Sequence, residues 1–283
     1  MHRSSFCQRA CLALLGFLCS LSGSCNRGDQ PKTTSPAAVE TKNPEDIAGV
    51  VPLMQEHIRY RFAVCYPSRP ELDPLEKLDE ILAASAIPVA RVEAVNGSET
   101  SVTVSASLRT HTPQLPSADG PARADLEKSL SPPDIERIGA INAACLLEWS
   151  YPRSEIWTGL RAAVGVTQQV AAAMQGIIWD DATGQVFSVA IWDQRRNQDW
   201  NENVPDINRH IVIQATTTDD GFLTAQTRGM TKFGLPEVSV DRYPRFFSRS
   251  IGNTIVVFNQ AMAEGLITRS LSEFDLDMRA IRH

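Results

Sequence analysis

The sequence predicts an α+β fold in which a mostly antiparallel sheet packs against helices. Several short segments alternate apolar with polar residues or are rich in β-branched and aromatic residues, as strands are. Turn sequences rich in Asn, Asp and Gly separate neighbouring segments of this kind, which favours hairpins. Longer segments with apolar residues at helical spacing lie among them, so the helices and the sheet are expected to share one core or two adjacent ones.

Residues 47–108 predict a β-α-β-β subdomain. The segment from Tyr60 to Tyr66 is rich in β-formers and predicts the first strand. Asp73-Pro74 is typical of a helix start, with Asp as the N-cap and Pro at the first helical position. Asn96-Gly97 then predicts a hairpin turn between two strands. These strands are expected over residues 90–94 and 102–108.

Residues 109–131 predict a long connection, because they are rich in Pro, Ala and polar residues. Such a connection favours a boundary between two subdomains. Residues 132–283 then predict a C-terminal α+β domain. Within it, residues 144–149 fit either a strand or the continuation of a helix.

The C-terminal domain is expected to combine capped helices with hairpins. Ser131, Ser154 and Asn253 each precede a segment with helical periodicity, and such residues cap helix N-termini. Two hairpins are predicted, because β-forming segments flank both Asp181 to Gly184 and Asp219 to Gly221.

Residues 1–24 are predicted to be a secretion signal. Two arginines precede an apolar run that is short for a membrane span, and the small residues Ser22 to Ser24 follow it. Together with Cys25, this arrangement resembles a bacterial lipoprotein signal, in which the cysteine becomes the mature N-terminus. The resemblance implies cleavage between Ser24 and Cys25 and attachment of fatty acyl chains, such as palmitate, at Cys25.

An ordinary secretory signal is the alternative. Lipoprotein signals usually carry Leu three residues before the cysteine, whereas Leu21 lies four residues before Cys25. Ser22 and Ser24 also suit the ordinary signal peptidase. Either enzyme would cut after Ser24, so Cys25 is the expected first residue of the mature chain in both cases.

Residues 25–46 predict a flexible tether that carries the lipid anchor. They hold several Pro, Thr, Ser and charged residues and almost no large apolar side chains, so they bury too little surface to fold. The expected location is therefore the cell envelope, at a membrane. Asn26 is not the aspartate that retains lipoproteins at the inner membrane of enteric bacteria, which favours the outer membrane in a Gram-negative organism.

The charge balance bears on the class of partner. The chain has 27 basic and 33 acidic residues, and loss of Arg3 and Arg9 with the signal leaves 25 basic residues against 33 acidic ones. This net negative charge argues against nucleic acid as a partner and against electrostatic adhesion to anionic lipid.

Two cysteines remain in the predicted folded part, Cys65 and Cys145. An envelope location permits a disulfide between them. The alternative is two separate buried thiols, because each cysteine lies in an apolar segment.

The segment from Thr227 to Glu237 is the most distinctive internal motif. Gly229 and Gly234 permit backbone conformations that a Cβ atom would resist, Phe233 is suited to a core, and Pro236 ends regular hydrogen bonding. We interpret the motif as a structural turn, with a ligand loop as the alternative.

Three elements together resemble uncharacterised bacterial domain families. They are the Gly-apolar-apolar-x-Asp hairpin at Gly176 to Asp180, the Thr-x-Gly-Met-x-Lys-Phe-Gly-Leu-Pro-Glu stretch at Thr227 to Glu237, and the helix from Asn253 to Leu266. The resemblance implies an α+β domain without an established activity, so it assigns no catalytic residue here.

No cofactor or metal motif occurs in the sequence, and the histidines of the mature part are isolated. We therefore expect a non-enzymatic binding or interaction module whose partner is an unidentified protein or small ligand. The alternative is a periplasmic hydrolase with a site assembled from distant residues. A pocket that brings together a histidine or paired carboxylates would favour the hydrolase, whereas an exposed apolar patch would favour the interaction module.

Overall fold

A computed structural model describes residues 51–52, 54–67, 72–110, 115–119, 122–198, 200–201, 203–265 and 269–270. The predicted signal, the tether and the lipid site at Cys25 lie outside the described residues.

The described part of the chain contains helices and strands in mixed order, as an α+β fold requires. The helices are α1 (Pro74–Ala84), α2 (Arg123–Leu126), α3 (Pro132–Arg137), α4 (Ile156–Ala173), α5 (Val189–Trp192) and α6 (Ser248–Ala263). The strands are β1 (Val51–Pro52), β2 (His57–Tyr66), β3 (Ala90–Val92), β4 (Thr103–Arg109), β5 (Ala143–Pro152), β6 (Ile177–Asp180), β7 (Gln185–Phe187), β8 (Trp200–Asn201), β9 (Val204–Pro205), β10 (Val212–Thr217), β11 (Leu223–Arg228), β12 (Ser239–Tyr243) and β13 (Arg269–Ser270). The predicted α+β class is confirmed.

A six-stranded sheet in the order β3-β4-β5-β2-β6-β7 forms the centre of the fold. Strand β2 pairs antiparallel with β5 on one side and with β6 on the other. Most of its residues are buried, so both of its edges need partners. Those partners come from the C-terminal part of the chain. The predicted boundary at residues 109–131 therefore does not separate two subdomains, because both sides of it contribute strands to one sheet.

The two faces of the central sheet bury different sets of side chains. Ile58, Tyr60 and Phe62 of β2 point into the larger core, which helices α1 and α4 cover. Ala63 and Cys65 point into a smaller core on the opposite face. Leu126 and Leu130, from the segment predicted as a connection, are buried in that smaller core with Ile135, Ile138 and Ile141. Part of the segment 109–131 is thus buried in the core and is not a simple connection.

The alternation of β2 and β5 also decides between the two interpretations of the cysteines. Cys145 lies directly opposite Val64 and shares the larger core with it, whereas Cys65 points to the other face. Side chains on opposite faces of a sheet do not meet the geometry of a disulfide. Both cysteines are free and buried, and burial raises the pKa of each thiol to about 12. The disulfide is not formed.

Three local predictions need correction. The turn at Asn96-Gly97 does not join a hairpin, because β3 and β4 pair in parallel after a longer excursion of the chain. Ser154 lies in a short 3₁₀ turn before α4 and is not its cap. Asn253 lies inside α6, which begins at Ser248 and follows a 3₁₀ turn.

Other local predictions are confirmed. Asp73 caps α1 by accepting a hydrogen bond from the Leu75 amide, and Ser131 caps α3 in the same way. Residues 144–149 belong to strand β5, and both predicted hairpin turns join antiparallel strands. A separate three-stranded sheet, β10-β11-β12, buries a small cluster with α6 that includes Leu223, Ala225, Tyr243, Ile251 and Ile255.

Two glycines of α4 offer a matched test of the packing between α4 and the sheet. A methyl group at Gly159 would lie 2.4 Å from Cδ1 of the buried Tyr151, whereas one at Gly165 would meet no atom within 4 Å. Gly159→Ala should therefore lower the free energy of unfolding by about 1–3 kcal/mol. Gly165→Ala should raise it by about 0.5–1 kcal/mol, because Ala is the better helix former. Urea unfolding of both variants measures the two effects, and a loss of similar size for both would contradict the packing described.

Candidate functional site

Three charged side chains meet in the larger core and form what we call the buried charge cluster: Asp180, Arg196 and Lys232. They expose 0%, 1% and 0% of their surface. The Asp180 Oδ2 atom accepts a hydrogen bond from Arg196 Nη2 at 3.2 Å and a second one from Lys232 Nζ. One carboxylate oxygen thus serves two cations.

Each member of the cluster comes from a different part of the fold. Asp180 is the last residue of β6, where hairpin formation with β7 fixes its position. Arg196 lies in a π-helical turn, Asp193–Asn197, directly after α5. Lys232 lies in a 3₁₀ helix, Met230–Phe233, within the distinctive motif of the sequence. The ion pairs therefore tie three separate segments together.

Aromatic rings complete the surroundings of both cations. The guanidinium of Arg196 lies 4.8 Å from the ring centre of Phe187 and 5.6 Å from that of Trp192. Lys232 Nζ lies 5.9 Å from the ring centre of Phe62. Arg196 Nε and Nη1 have no hydrogen-bond partner. Cation–π attraction to the two rings compensates in part for those missing bonds.

The cluster carries one positive charge more than it can neutralise. Burial lowers the pKa of Lys232 to about 8 and that of Arg196 to about 10, although the carboxylate of Asp180 acts in the opposite direction on both. Burial disfavours the charged form of a base, and each cation also repels its neighbour. The excess charge makes Asp180 the group on which both cations depend.

His210 is a further buried titratable group whose pKa responds to the charges of the cluster. Its ring lies 6.3 Å from that of Trp200 and 6.0 Å from that of Phe233, and it is almost fully buried. Burial, followed by the positive charges of Arg196 and Lys232, holds its pKa well below the ordinary value of 6.5. His210 is therefore neutral near pH 7.

Two tyrosines extend the polar region of the larger core. The hydroxyl oxygen of Tyr151 lies 3.1 Å from that of Tyr60 and 3.4 Å from the carbonyl oxygen of Lys232. Burial raises the pKa of both hydroxyl groups, and the charge of Asp180 adds to the shift at Tyr60. The hydroxyl pair thus joins β2 and β5 to the backbone that carries Lys232.

The motif from Thr227 to Glu237 positions Lys232. Gly229 and Gly234 flank the 3₁₀ helix and have positive φ values of 110° and 63°. A Cβ atom at Gly229 would lie 2.8 Å from Cγ2 of Thr183, and one at Gly234 would lie 2.9 Å from Cγ1 of Ile58. Both positions therefore need glycine for their backbone conformation and for space.

The carboxylate of Glu237 closes the same motif. It accepts hydrogen bonds from the amides of Gly229 at 2.8 Å and Met230 at 3.0 Å, and from the Thr227 hydroxyl at 2.7 Å. Phe233 is buried, whereas Pro236 is exposed and follows the turn. Of the two interpretations of the motif, these contacts fit the structural turn.

The buried charge cluster is suited to a structural role. All three members are sealed from solvent, so a substrate in solution does not reach them in this conformation. The cluster is hard to recognise in the sequence, because 16 and 52 residues separate Asp180 from its two partners. The one local signal is the placement of Lys232 beside the apolar residues Met230 and Phe233.

A surface groove of about 370 Å³ lies where α3, α4 and α5 approach one another. Its only carboxylate is that of Asp134, whose oxygens contact Ser131 Oγ at 2.6 Å and Arg137 Nη2 at 2.7 Å. The lining residues include no histidine: Ser131, Asp134, Arg137, Ala172, Gln175, Gly176, Ser188, Val189 and Ala190. The groove therefore lacks the acid–base pair that the hydrolase alternative requires.

Two exposed aromatic side chains lie together at the start of α6. Phe246 exposes 78% and Phe247 exposes 44% of its surface, and their ring centres lie 4.3 Å apart. Exposed arginines flank them at positions 242, 245 and 249. We call these five residues the aromatic–arginine patch: Arg242, Arg245, Phe246, Phe247 and Arg249.

Within the described ranges, the structure contains no group of three His, Cys, Asp or Glu side chains arranged to hold a metal ion. Across the same residues, no helix is both long and apolar enough to cross a bilayer. The comparisons with known proteins add no relative: no family model, no curated protein and no solved structure matches the chain.

The excess positive charge of the buried cluster predicts unequal effects of removing its members. Asp180→Asn leaves two buried cations without a counter-charge and should lower the free energy of unfolding by about 3–5 kcal/mol. Lys232→Met leaves a neutral Asp180–Arg196 pair and should cost about 1–2 kcal/mol. Urea unfolding at pH 7 compares the two variants. A larger loss for Lys232→Met would show that the carboxylate is not the group that balances the cluster.

His210 predicts a specific pH dependence. Its pKa is lowered in the folded state, so below the ordinary value of 6.5 the unfolded chain binds a proton that the folded chain does not. The wild type should therefore lose up to about 1.4 kcal/mol of stability per pH unit below pH 6.5 through this group. His210→Phe lacks this dependence, so the difference in stability between the two proteins should change between pH 7 and pH 5. Parallel pH profiles would contradict a neutral, buried His210.

Proposed function

We propose that the protein is a non-enzymatic cell-envelope lipoprotein whose α+β body acts as an interaction module. The aromatic–arginine patch is the observation that carries this proposal. Two adjacent phenylalanines that remain exposed form a contiguous apolar surface, and such surfaces mark interaction sites on folded proteins. Phe and Arg are also enriched where proteins meet partners.

The N-terminal sequence supports the location. Cys25 follows a short apolar run and small residues, as in a bacterial lipoprotein signal, and a polar tether follows it. Bacterial acylation would attach more than one chain, as stable anchoring requires. The body would then work at the membrane surface.

The distribution of ionisable groups favours an interaction module over a hydrolase. Asp180, Lys232 and His210 have the side-chain chemistry of catalytic groups, but each is 0–1% exposed. A hydrolytic site needs such groups within reach of substrate and water. The aromatic–arginine patch, by contrast, is exposed, and its side chains are apolar and cationic.

The mass of the mature N-terminus tests the proposed anchor. Wild-type protein from the membrane fraction should start at Cys25 and carry a lipid-sized mass increment. Cys25→Ala should lack this increment and move to the soluble fraction, because the acylated thiol is gone. Mass spectrometry of both fractions provides the measurement. An unmodified Cys25 in soluble wild-type protein would overturn the lipoprotein proposal and favour the ordinary secretory signal.

A further inference from the structure

We propose that the aromatic–arginine patch binds the surface of a bilayer that contains anionic phospholipid. This inference rests on the proposed interaction function and names its partner. The two phenylalanines would enter the boundary between headgroups and acyl chains, and the arginines would contact the phosphate groups. The body would then touch the membrane at a second point besides the lipid on Cys25.

The local composition of the patch differs from that of the chain as a whole. Residues 242–263 contain three arginines and no acidic residue, although the chain as a whole is acidic. All three arginines lie within four residues of the exposed phenylalanines. Aromatic side chains with cations beside them are the combination that binds membrane interfaces. The overall negative charge argues against adhesion of the whole body, but it does not describe this surface.

The three arginines of the patch differ in the contacts that they make within the body. Arg242 pairs with Asp220 at 3.0 Å and lies over the ring of Phe222, so its charge already has a partner within the body. Arg245 makes a long contact of 3.5 Å with the Thr217 hydroxyl. Within the described part of the chain, no ion pair involves Arg245 or Arg249. These two guanidinium groups keep their charge available for phosphate oxygens, which Arg binds well.

The fold holds the patch at the start of a helix that is packed against the body. Phe246 and Phe247 end the 3₁₀ turn Arg245–Phe247, and α6 begins immediately after it. Ile251 and Ile255 of α6 pack against β11 and β12 and fix the helix to the body. The patch is therefore a rigid projection from a packed element, and ordering it at a membrane costs little conformational entropy.

The predicted tether makes even a weak contact effective. Residues 26–46 would span on the order of 25 Å on average as a flexible chain. A body held that close to the bilayer meets it at a high effective concentration. Two modest contacts, the lipid and the patch, would then act together.

Vesicle sedimentation of residues 25–283 with Cys25→Ala, which lack the predicted signal, tests this inference without the acyl chains and without the apolar run of the signal. The probe is a vesicle of phosphatidylethanolamine and phosphatidylglycerol, compared with one of phosphatidylcholine alone. The Cys25→Ala protein should bind the anionic vesicles. Adding Phe246→Ser and Phe247→Ser should reduce the partition coefficient about tenfold or more, because two apolar side chains no longer enter the interface.

Two further variants separate the components of the contact. Arg245→Gln with Arg249→Gln should reduce binding to anionic vesicles several-fold and change binding to phosphatidylcholine little. Leu72→Ser is the matched control, because Leu72 is 56% exposed but lies before α1, outside the patch. It should bind as the Cys25→Ala parent does. Circular dichroism checks that all variants are folded, as expected for changes at exposed positions.

The inference would be overturned if the parent did not bind the anionic vesicles, or if the parent and the double serine variant bound them equally. An equal loss for Leu72→Ser would overturn it as well, because binding would then not depend on the patch. Neither result bears on the acyl chain, which the mass of the wild-type N-terminus measures independently. Failure of the membrane contact is thus distinguishable from failure of the lipoprotein proposal.

Discussion

The ion pairs of Asp180 tie three separate segments of the chain together within the larger core. The carboxylate belongs to the central sheet, and its partners come from the turn after α5 and from the 3₁₀ helix Met230–Phe233. Buried charges are costly to remove from water, so this arrangement is stable only when the charges are paired and the core around them is closed. The fold is therefore stable only when all three segments are packed in the core at the same time.

This dependence explains the form of the motif around Lys232. A lysine that must reach a buried carboxylate needs a backbone that enters the core and leaves it again within a few residues. Gly229 and Gly234 permit the two sharp changes of direction, and Glu237 bonds the amides that the turn leaves without partners. The two glycines and Glu237 thus act together, and their effect is to place the side chain of Lys232 beside the buried carboxylate.

The local elements could be predicted because the caps and turns that define them are formed by residues adjacent in the sequence. Asp73 with Pro74 starts α1, and the turns before Gln185 and Leu223 join antiparallel strands, as their sequences indicate. The parallel pairing of β3 with β4 was not predictable from Asn96-Gly97, because the turn fixes a reversal but not the path of the following residues. The start of α6 was missed because a 3₁₀ turn, and not a side-chain cap, leads into it.

The features that require long-range contacts were out of reach of sequence reasoning. Asp180 appears in the sequence as the end of a hairpin strand, and Arg196 as one of several polar residues in a loop. Only the fold shows that they share a core. The same limit applies to Cys65 and Cys145, whose apolar surroundings are evident in the sequence but whose opposite faces depend on the register of β2 with β5. The exposure of Phe246 is equally a property of the fold.

The body departs from the usual distribution of charge and apolar surface at two places, and this contrast bears on function. Three charges that would be stable in water are buried in the core, while two phenylalanines that would be stable in the core are exposed. The buried charges have a structural role, because their ion pairs hold three segments together. No comparable contact within the described residues accounts for the exposed rings, which would gain stability from burial. This exposed surface is the one at which we propose that an outside partner acts, and the arginines beside the rings fit the anionic phospholipid proposed for it.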